Sequence, residues 1–273
     1  MNNKDIKMLF FSHPTLKHGP WSPSRLGVLM DCPLKFSLET SKFKVESSKV
    51  FTPDTTALDI GVSAHKYAEI LIASPTVSRE AAAMTSESGI PLTSDSKDKL
   101  VKIRQGIDNF ASRIAVLKSH GDTIFDKAEL KAAINRDLKP VDFFSKDVVL
   151  RGKIDRAIMI SKNGAKHIIA IDYKTGKCKD DNSAYSLQLE TYGVLLHCMY
   201  PDAISVQPYL YYAEEEKLVG HSRRIIKSDI VPDNIVFTTL NKAAEEYEAM
   251  QPPTKNVGLQ CNWCKYKLHC QST

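Results

Sequence analysis

No uninterrupted apolar run here approaches the roughly 20 residues that a membrane-spanning helix needs, so no such helix is expected. The opening Met-Asn-Asn-Lys-Asp-Ile-Lys-Met-Leu-Phe-Phe is too short in apolar residues for a secretory signal. A reducing, cytoplasmic setting is therefore expected, and the six cysteines read as thiols or metal ligands rather than disulfides. No internal repeat is found. Thr175-Gly176-Lys177-Cys178 resembles the end of a phosphate-binding loop, but the earlier glycine is missing and Cys178 replaces the hydroxyl. That excludes a nucleotide-hydrolysing motor. Charge of one sign is not scarce: the formal net charge is +5, a mild lean toward a polyanionic partner.

What is present centres on residues 148–176. Two β-rich runs flank Asn163-Gly164, the dipeptide best suited to a two-residue type I′ hairpin turn. With that turn, Asp155 and Asp172 stand directly opposite each other on one face, their Cβ atoms roughly 4.5–5.5 Å apart. Like charges so placed are destabilising unless something positive lies between them. Lys174 emerges on the same face because the strand period is two. Two carboxylates and an ammonium converging in this way point to a hard divalent cation, Mg²⁺ or Mn²⁺. Such a cation can bind a phosphate oxygen and acidify water, with Lys174 orienting the water or neutralising developing charge.

The rest of the chain reads as helices and a second hairpin. Ser22 caps a helix opened by Pro23. Glu39–Pro53 reads as a surface loop. A helix over 55–73 puts Leu58, Val62, His65, Glu69 and Ile72 on one face, at spacings of 4, 3, 4 and 3. His65 with Glu69 one turn on is a candidate ligand pair, a satisfied half-buried histidine being the alternative. Residues 74–97 read as a long loop with a short helix at Arg79–Met84, and an amphipathic helix runs from Leu100 to Leu117. A strand over Ile124–Ile134 carries Glu129, and Asn135–Asp147 is a loop. Asp181-Asn182-Ser183 offers a cap for a helix over Ala184–Tyr200, with Tyr185, Gln188 and Tyr192 on one stripe. The second hairpin pairs Ala203–Ala213 with Lys217–Ile226, Pro208 marking an edge or bulge. A last helix covers 231–250, before Cys261-x2-Cys264-x5-Cys270. That trio needs a fourth thiolate, from Cys32, Cys178 or Cys198, and its spacing does not choose zinc over iron–sulfur.

Gly152-Lys-Ile-Asp155 with Asp172-Tyr-Lys174-Thr-Gly resembles motifs II and III of the PD-(D/E)XK nucleases. Gln188-x3-Tyr192 and Gly61-x3-His65 resemble motifs of the RecB-like exonuclease branch. Ser22-Pro-Ser-Arg-Leu-x5-Cys32-Pro-Leu-Lys-Phe36 resembles the N-terminal cluster element of its iron–sulfur members, the AddB-like and CRISPR-associated relatives, with Leu29 where an aromatic is common. The resemblance implies a single α/β nuclease domain over 1–273: a restriction-endonuclease-like core, a mixed sheet flanked by helices. Cluster-binding segments would lie at 22–38 and 254–273, a helical segment at 55–120 and the catalytic core at 122–227. It further implies that His65, Asp155, Asp172 and the Tyr173 carbonyl bind metal, that Lys174 is catalytic, and that Gln188 and Tyr192 position DNA or the lysine. Glu129 matches an acidic residue that often precedes motif II. Cys32, Cys261, Cys264 and Cys270 would hold a [4Fe–4S] cluster joining the termini. The implied function is metal-dependent DNA cleavage, from an end, in bacterial or phage recombination or repair, with a helicase or recombination protein as partner. A non-cleaving nucleic-acid-binding scaffold is the alternative.

Overall fold

The computed structural model describes residues 10–41, 55–178 and 183–271. By its contacts the chain forms two compact units, one of residues 1–55, 133–151 and 231–273 and the other of residues 56–132 and 152–230.

The first unit holds α1 (His13–His18), α2 (Pro23–Asp31), α3 (Pro33–Thr40), α8 (Ile235–Ala249) and α9 (Lys267–Gln271). Ser22 caps α2 by accepting the Arg25 N–H, with Pro23 at the first position, as the sequence suggests. An aromatic cluster fills its centre: Trp21 stacks on Phe36 with centroids 5.6 Å apart, and Tyr247 of α8 meets Phe36 edge-on at 5.0 Å. The buried Trp21 indole N–H has its partner in the Thr15 carbonyl at 2.7 Å. Residues from the two ends of the sequence meet within this unit, since the Leu34 N–H donates to the Thr254 carbonyl at 3.0 Å.

The second unit is built on α4 (Thr56–Ala73), α5 (Arg79–Glu87), α6 (Ser94–Lys118) and α7 (Ser183–Met199). Its strands belong to one sheet of order β1 (Asp122–Ile134), β2 (Leu150–Lys162), β3 (Ala165–Lys174), β4 (Ala203–Tyr212) and β5 (Lys217–Gly220). β3 and β4 are parallel, while β2–β3 and β4–β5 are antiparallel, so the sheet is mixed. The Asn163-Gly164 turn has positive φ at both residues, 53° and 78°, the I′ signature. The ladder runs from Lys162 opposite Ala165 to Arg156 opposite Ile171. The ladder ends there, one residue short of Asp155 and Asp172, and beyond it the Tyr173 N–H donates to the Asp155 side chain at 2.7 Å.

Helices flank both faces of this sheet. α6 buries Leu100, Ile103, Ile107, Phe110 and Ile114, each contributing about 1.5–3 kcal/mol. Phe110 stacks on Tyr211 with centroids 3.9 Å apart, and the Tyr211 hydroxyl donates to the Gly106 carbonyl at 2.8 Å. A Cβ on Gly106 would stand 1.8 Å from the Ala213 carbonyl oxygen, so only glycine allows this approach. On the other face α7 packs against β2 at Gly152, where an added Cβ would meet Leu195 at 3.0 Å.

Several expectations need correction. Residues 74–97 are mostly helical: α5 runs to Glu87 and α6 starts at Ser94, each capped by a hydroxyl, from Ser78 and Thr93. β5 stops at Gly220, and Ile225 returns only as an isolated bridge to Val206. Pro208 lies inside β4, paired with Ala170 of β3, where the β5 ladder has ended. The last long helix begins at Ile235, capped by Asn234 rather than at 231. α3 reaches Thr40, so the proposed 39–53 loop is shortened at its start and otherwise lies outside the described residues. The Asp181-Asn182 cap also lies outside them.

One buried ion pair ties β1 to β2. Arg156 grips Asp126 with two hydrogen bonds of 2.9 and 2.8 Å, and Lys118 adds a contact at 2.9 Å. Burial alone would raise the Asp126 carboxyl, but Arg156 and Lys118 outweigh it and hold it below its ordinary value. Asp126→Ala strands the Arg156 guanidinium, so a loss of about 3 kcal/mol at pH 7 is expected in urea denaturation. Because the folded pKa is depressed, this stabilisation exists above the unfolded value of about 3.9 and fades as pH falls through the folded one. The gap between wild type and variant should therefore narrow in acid.

Candidate active site

α4 supplies the first side chain. Its buried face is Ile60, Ala64, Tyr67 and Ala68, which leaves the Leu58–Val62–His65–Glu69 face open. Leu58 and Val62 are exposed despite being apolar, and with His65 and Glu69 they line a cleft of about 460 Å³. Glu129, Lys153 and Asp155 form the opposite side of that cleft. The face that sequence periodicity singles out is thus a site wall and not a core stripe.

His65 Nδ1 stands 3.2 Å from Asp155 Oδ1. Asp155 Oδ2 accepts the Tyr173 backbone N–H at 2.7 Å, which fixes the carboxylate against β3. Burial opposes the imidazolium, but the hydrogen bond and charge of Asp155, with Asp172 behind it, hold the His65 pKa above its ordinary value. Glu129 joins this pair from β1. Its backbone has φ +52°, rare for a residue with a side chain. Among the described residues, His65, Glu129 and Asp155 are the group able to hold a metal ion, their ligand atoms all within 4.8 Å of one another. One imidazole and two carboxylates form a donor set suited to Mg²⁺ or Mn²⁺. Glu129 ion-pairs with Lys153 Nζ, a cation on the place where charge is needed. Lys153 is missing from the sequence-based set, although period two puts it on the face of Asp155.

Asp172 sits beside this group in a setting of its own. It is 4% exposed. Its Oδ1 accepts from Gln188 Nε2 at 2.7 Å and from the Tyr192 hydroxyl at 2.8 Å. Its Oδ2 meets Lys174 Nζ at 2.7 Å. Burial, then the charge of Asp155, raises its pKa, while Lys174 and Tyr192 pull it back. Tyr192 is itself pushed well above the ordinary phenol value, by burial and then by Asp172, and so remains a donor. The Gln188 amide is oriented from both ends, because its Oε1 accepts from Lys174 at 3.2 Å. Lys174 Nζ also lies 4.2 Å from the Tyr185 ring centroid.

Of the expected site residues, the structure therefore brings His65, Asp155 and Glu129 into one group and Asp172, Lys174, Gln188 and Tyr192 into a second. Glu69 lines the cleft but pairs with Lys66 at 2.9 Å. The Tyr173 ring turns into the opposite face of the sheet, buried against Phe110 and Tyr211. It is a core residue; Tyr192 and Tyr266 are also buried, while Trp263 is exposed.

In the other unit, Cys32 lies between α2 and α3. It lines a cavity of about 150 Å³ together with Cys261, Cys264 and Cys270, rimmed by Lys35 and Lys255. None of the four forms a disulfide among the described residues. Burial pushes the Cys270 thiol up; Lys255 opposes this, and Cys32, Cys261 and Cys264 add to it. Cys198, by contrast, is a buried thiol on α7 pushed up to about 11 by burial alone, and the Cys178 N–H donates to Glu215. Neither lines the cysteine cavity.

Residues 20–271 match the model of the PD-(D/E)XK nuclease superfamily. No curated protein matches the chain. A solved structure described as "Crystal structure of SSO0001" is similar at 16% identity over 88% of this chain and 94% of that chain, with a TM-score of 0.34.

Tyr192→Phe removes a donor to a buried carboxylate. It should move the Asp172 titration, followed by carboxyl ¹³C NMR, further upward. An unchanged or lower value would show that the hydroxyl does not stabilise the ionised form.

Proposed function

This chain belongs to the PD-(D/E)XK nuclease superfamily, and from that membership we propose that it is a divalent-metal-dependent deoxyribonuclease acting from DNA ends. The observation that carries the reading is the convergence of His65, Glu129 and Asp155 within 4.8 Å, next to a lysine paired with a second carboxylate. The preference for ends rests on the resemblance of Gly61-x3-His65 and Gln188-x3-Tyr192 to the RecB-like exonuclease branch.

His65, Glu129 and Asp155 would hold the cation, with Lys153 released from Glu129 as the cation enters. When bound there, a divalent cation supplies a Lewis acid for a phosphoryl oxygen and lowers the pKa of water. Asp172 Oδ2 has one acceptor site left after its contact with Lys174, so ligation by Asp172 is compatible with its hydrogen bonds, while the Tyr173 carbonyl as a further ligand rests on the resemblance. Two of the three Lys174 N–H groups are taken by Asp172 and Gln188. The third is available to orient water or to neutralise charge on the phosphoryl group. Gln188 and Tyr192 act through the lysine and Asp172; they are positioning residues.

The choice of a [4Fe–4S] cluster over zinc rests on the resemblance of the Cys32 element to the iron–sulfur members, and it is supported by Cys32, Cys261, Cys264 and Cys270 lining one cavity. A cluster there would fasten residues from both ends of the sequence, whose backbones already meet at Leu34 and Thr254. DNA ends are the proposed substrate, and a helicase or recombination protein that exposes them is the proposed partner, in a bacterial or phage-infected cytoplasm.

With end-labelled single- and double-stranded DNA and Mg²⁺ or Mn²⁺, the wild type should cleave, and Lys174→Ala or Asp172→Ala should lose about 100-fold or more. Undiminished cleavage in either variant would sink the assignment, and an inert wild type would favour the scaffold alternative. Anaerobically purified protein should be coloured and contain iron, and Cys32→Ser should lose both. A colourless, zinc-bearing wild type would overturn the cluster.

A further inference from the structure

A cavity of about 540 Å³ in the second unit lies away from the catalytic cleft. Its floor is set by strand register. Ile160, His167 and Ser205 form one cross-strand row of β2, β3 and β4, and Ile169 with Gln207 begins the next. Further along the same face stand Ile171, Tyr173 and Tyr211, which α6 covers through Phe110. α6 ends at Lys118, and beyond it the face is open. There the sequence replaces bulky apolar residues with His167, Ser205 and Gln207, while Ile160, Ile169 and Tyr209 leave part of the floor apolar.

The rim has one sign. Lys162, Arg224 and His120 surround the floor, His167 rises from it, and no carboxylate lines the cavity among the described residues. Lys162 and Arg224 make no ion pair among those residues either, in contrast to Lys166 and Arg223 nearby, which pair with Asp202 and with Glu190 and Asp229. His167 Nδ1 and Ser205 Oγ are 2.9 Å apart, which keeps these two polar groups together on the floor.

We propose that this open end of the α6-covered face binds a nucleotide unit, its base on the Ile160–Ile169–Tyr209 floor and its phosphate between Lys162 and Arg224. Cations with no ion-pair partner among the described residues favour a phosphate; an apolar floor with an amide and a hydroxyl favours a planar ring with polar edges. The volume accommodates one such unit. His167 is five residues before Asp172 on β3, about 16 Å away, and faces the opposite side of the sheet. The site is therefore distinct from the cleft, and its occupancy does not depend on the cleavage chemistry.

The test uses the full chain in EDTA. Binding of thymidine 5′-monophosphate is measured by calorimetry, and that of a labelled 12-nucleotide single strand by anisotropy. In Lys162→Glu/Arg224→Glu, and in Gln207→Trp, which fills the floor without changing charge, affinity for at least one probe should fall about 10-fold. Loss for both probes identifies a free-nucleotide pocket, and loss for the strand alone a contact along bound nucleic acid. Hydrolysis of bis(p-nitrophenyl) phosphate with Mn²⁺, which needs only the cleft, should be unchanged in both variants. Unchanged affinity for both probes, or a loss confined to the charge-reversed variant, would overturn the proposal. The binding assays contain no metal, so their failure leaves the catalytic reading intact, and an inert wild type toward the diester would count against catalysis alone.

Discussion

Asp172 is a buried carboxylate that feels the charge of a second one, Asp155, and its surroundings are arranged to absorb that repulsion. Burial and Asp155 both press toward the neutral acid. Gln188, Tyr192 and Lys174 together supply three short contacts to the ionised form. Each depends on a larger feature. Gln188 and Tyr192 are one turn apart on α7, and α7 approaches the sheet because Gly152 has no side chain. Lys174 is presented by the pleat of β3. Remove any one and a buried charge loses a partner, at a cost of about 1–3 kcal/mol.

The second carboxylate is handled differently. Asp155 uses one oxygen to hold the Tyr173 N–H and offers the other to His65 and Glu129. One Asp thereby anchors a lysine, while its neighbour faces a cleft where a cation would relieve the charge on both. The division follows from burial. Asp172 is buried among protein donors, whereas Asp155 borders the open cleft.

Much of this was legible in the sequence. Asn163-Gly164 specified the turn that joins β2 to β3, and the period of two carried Lys174 to the side of Asp172; the ladder itself ends at Arg156 and Ile171, short of the expected pairing of Asp155 with Asp172. The i, i+4 spacing of Gln188 and Tyr192 located a helical stripe directed at the site. The position of Glu129 was harder to read, because its entry into the cleft relies on a left-handed backbone within β1 that no residue pattern announces. Leu58 and Val62 form an apolar stripe that reads the same whether it faces a core or a cleft; packing of the opposite face of α4 against α6 decides. The open end of the sheet likewise depends on where α6 stops relative to β3 and β4, a tertiary matter. Pro208 suggested an edge, and the structure shows why it is tolerated: the β5 ladder has already ended.

In the proposed metal centre Glu129 shares the cation with His65 and Asp155. Calorimetric titration of EDTA-stripped protein with Mn²⁺ tests this directly. Glu129→Gln should bind Mn²⁺ at least about 10-fold more weakly than wild type, while Lys174→Ala binds it as wild type does. Wild-type affinity in Glu129→Gln would contradict the account and return the metal centre to the two strand carboxylates alone.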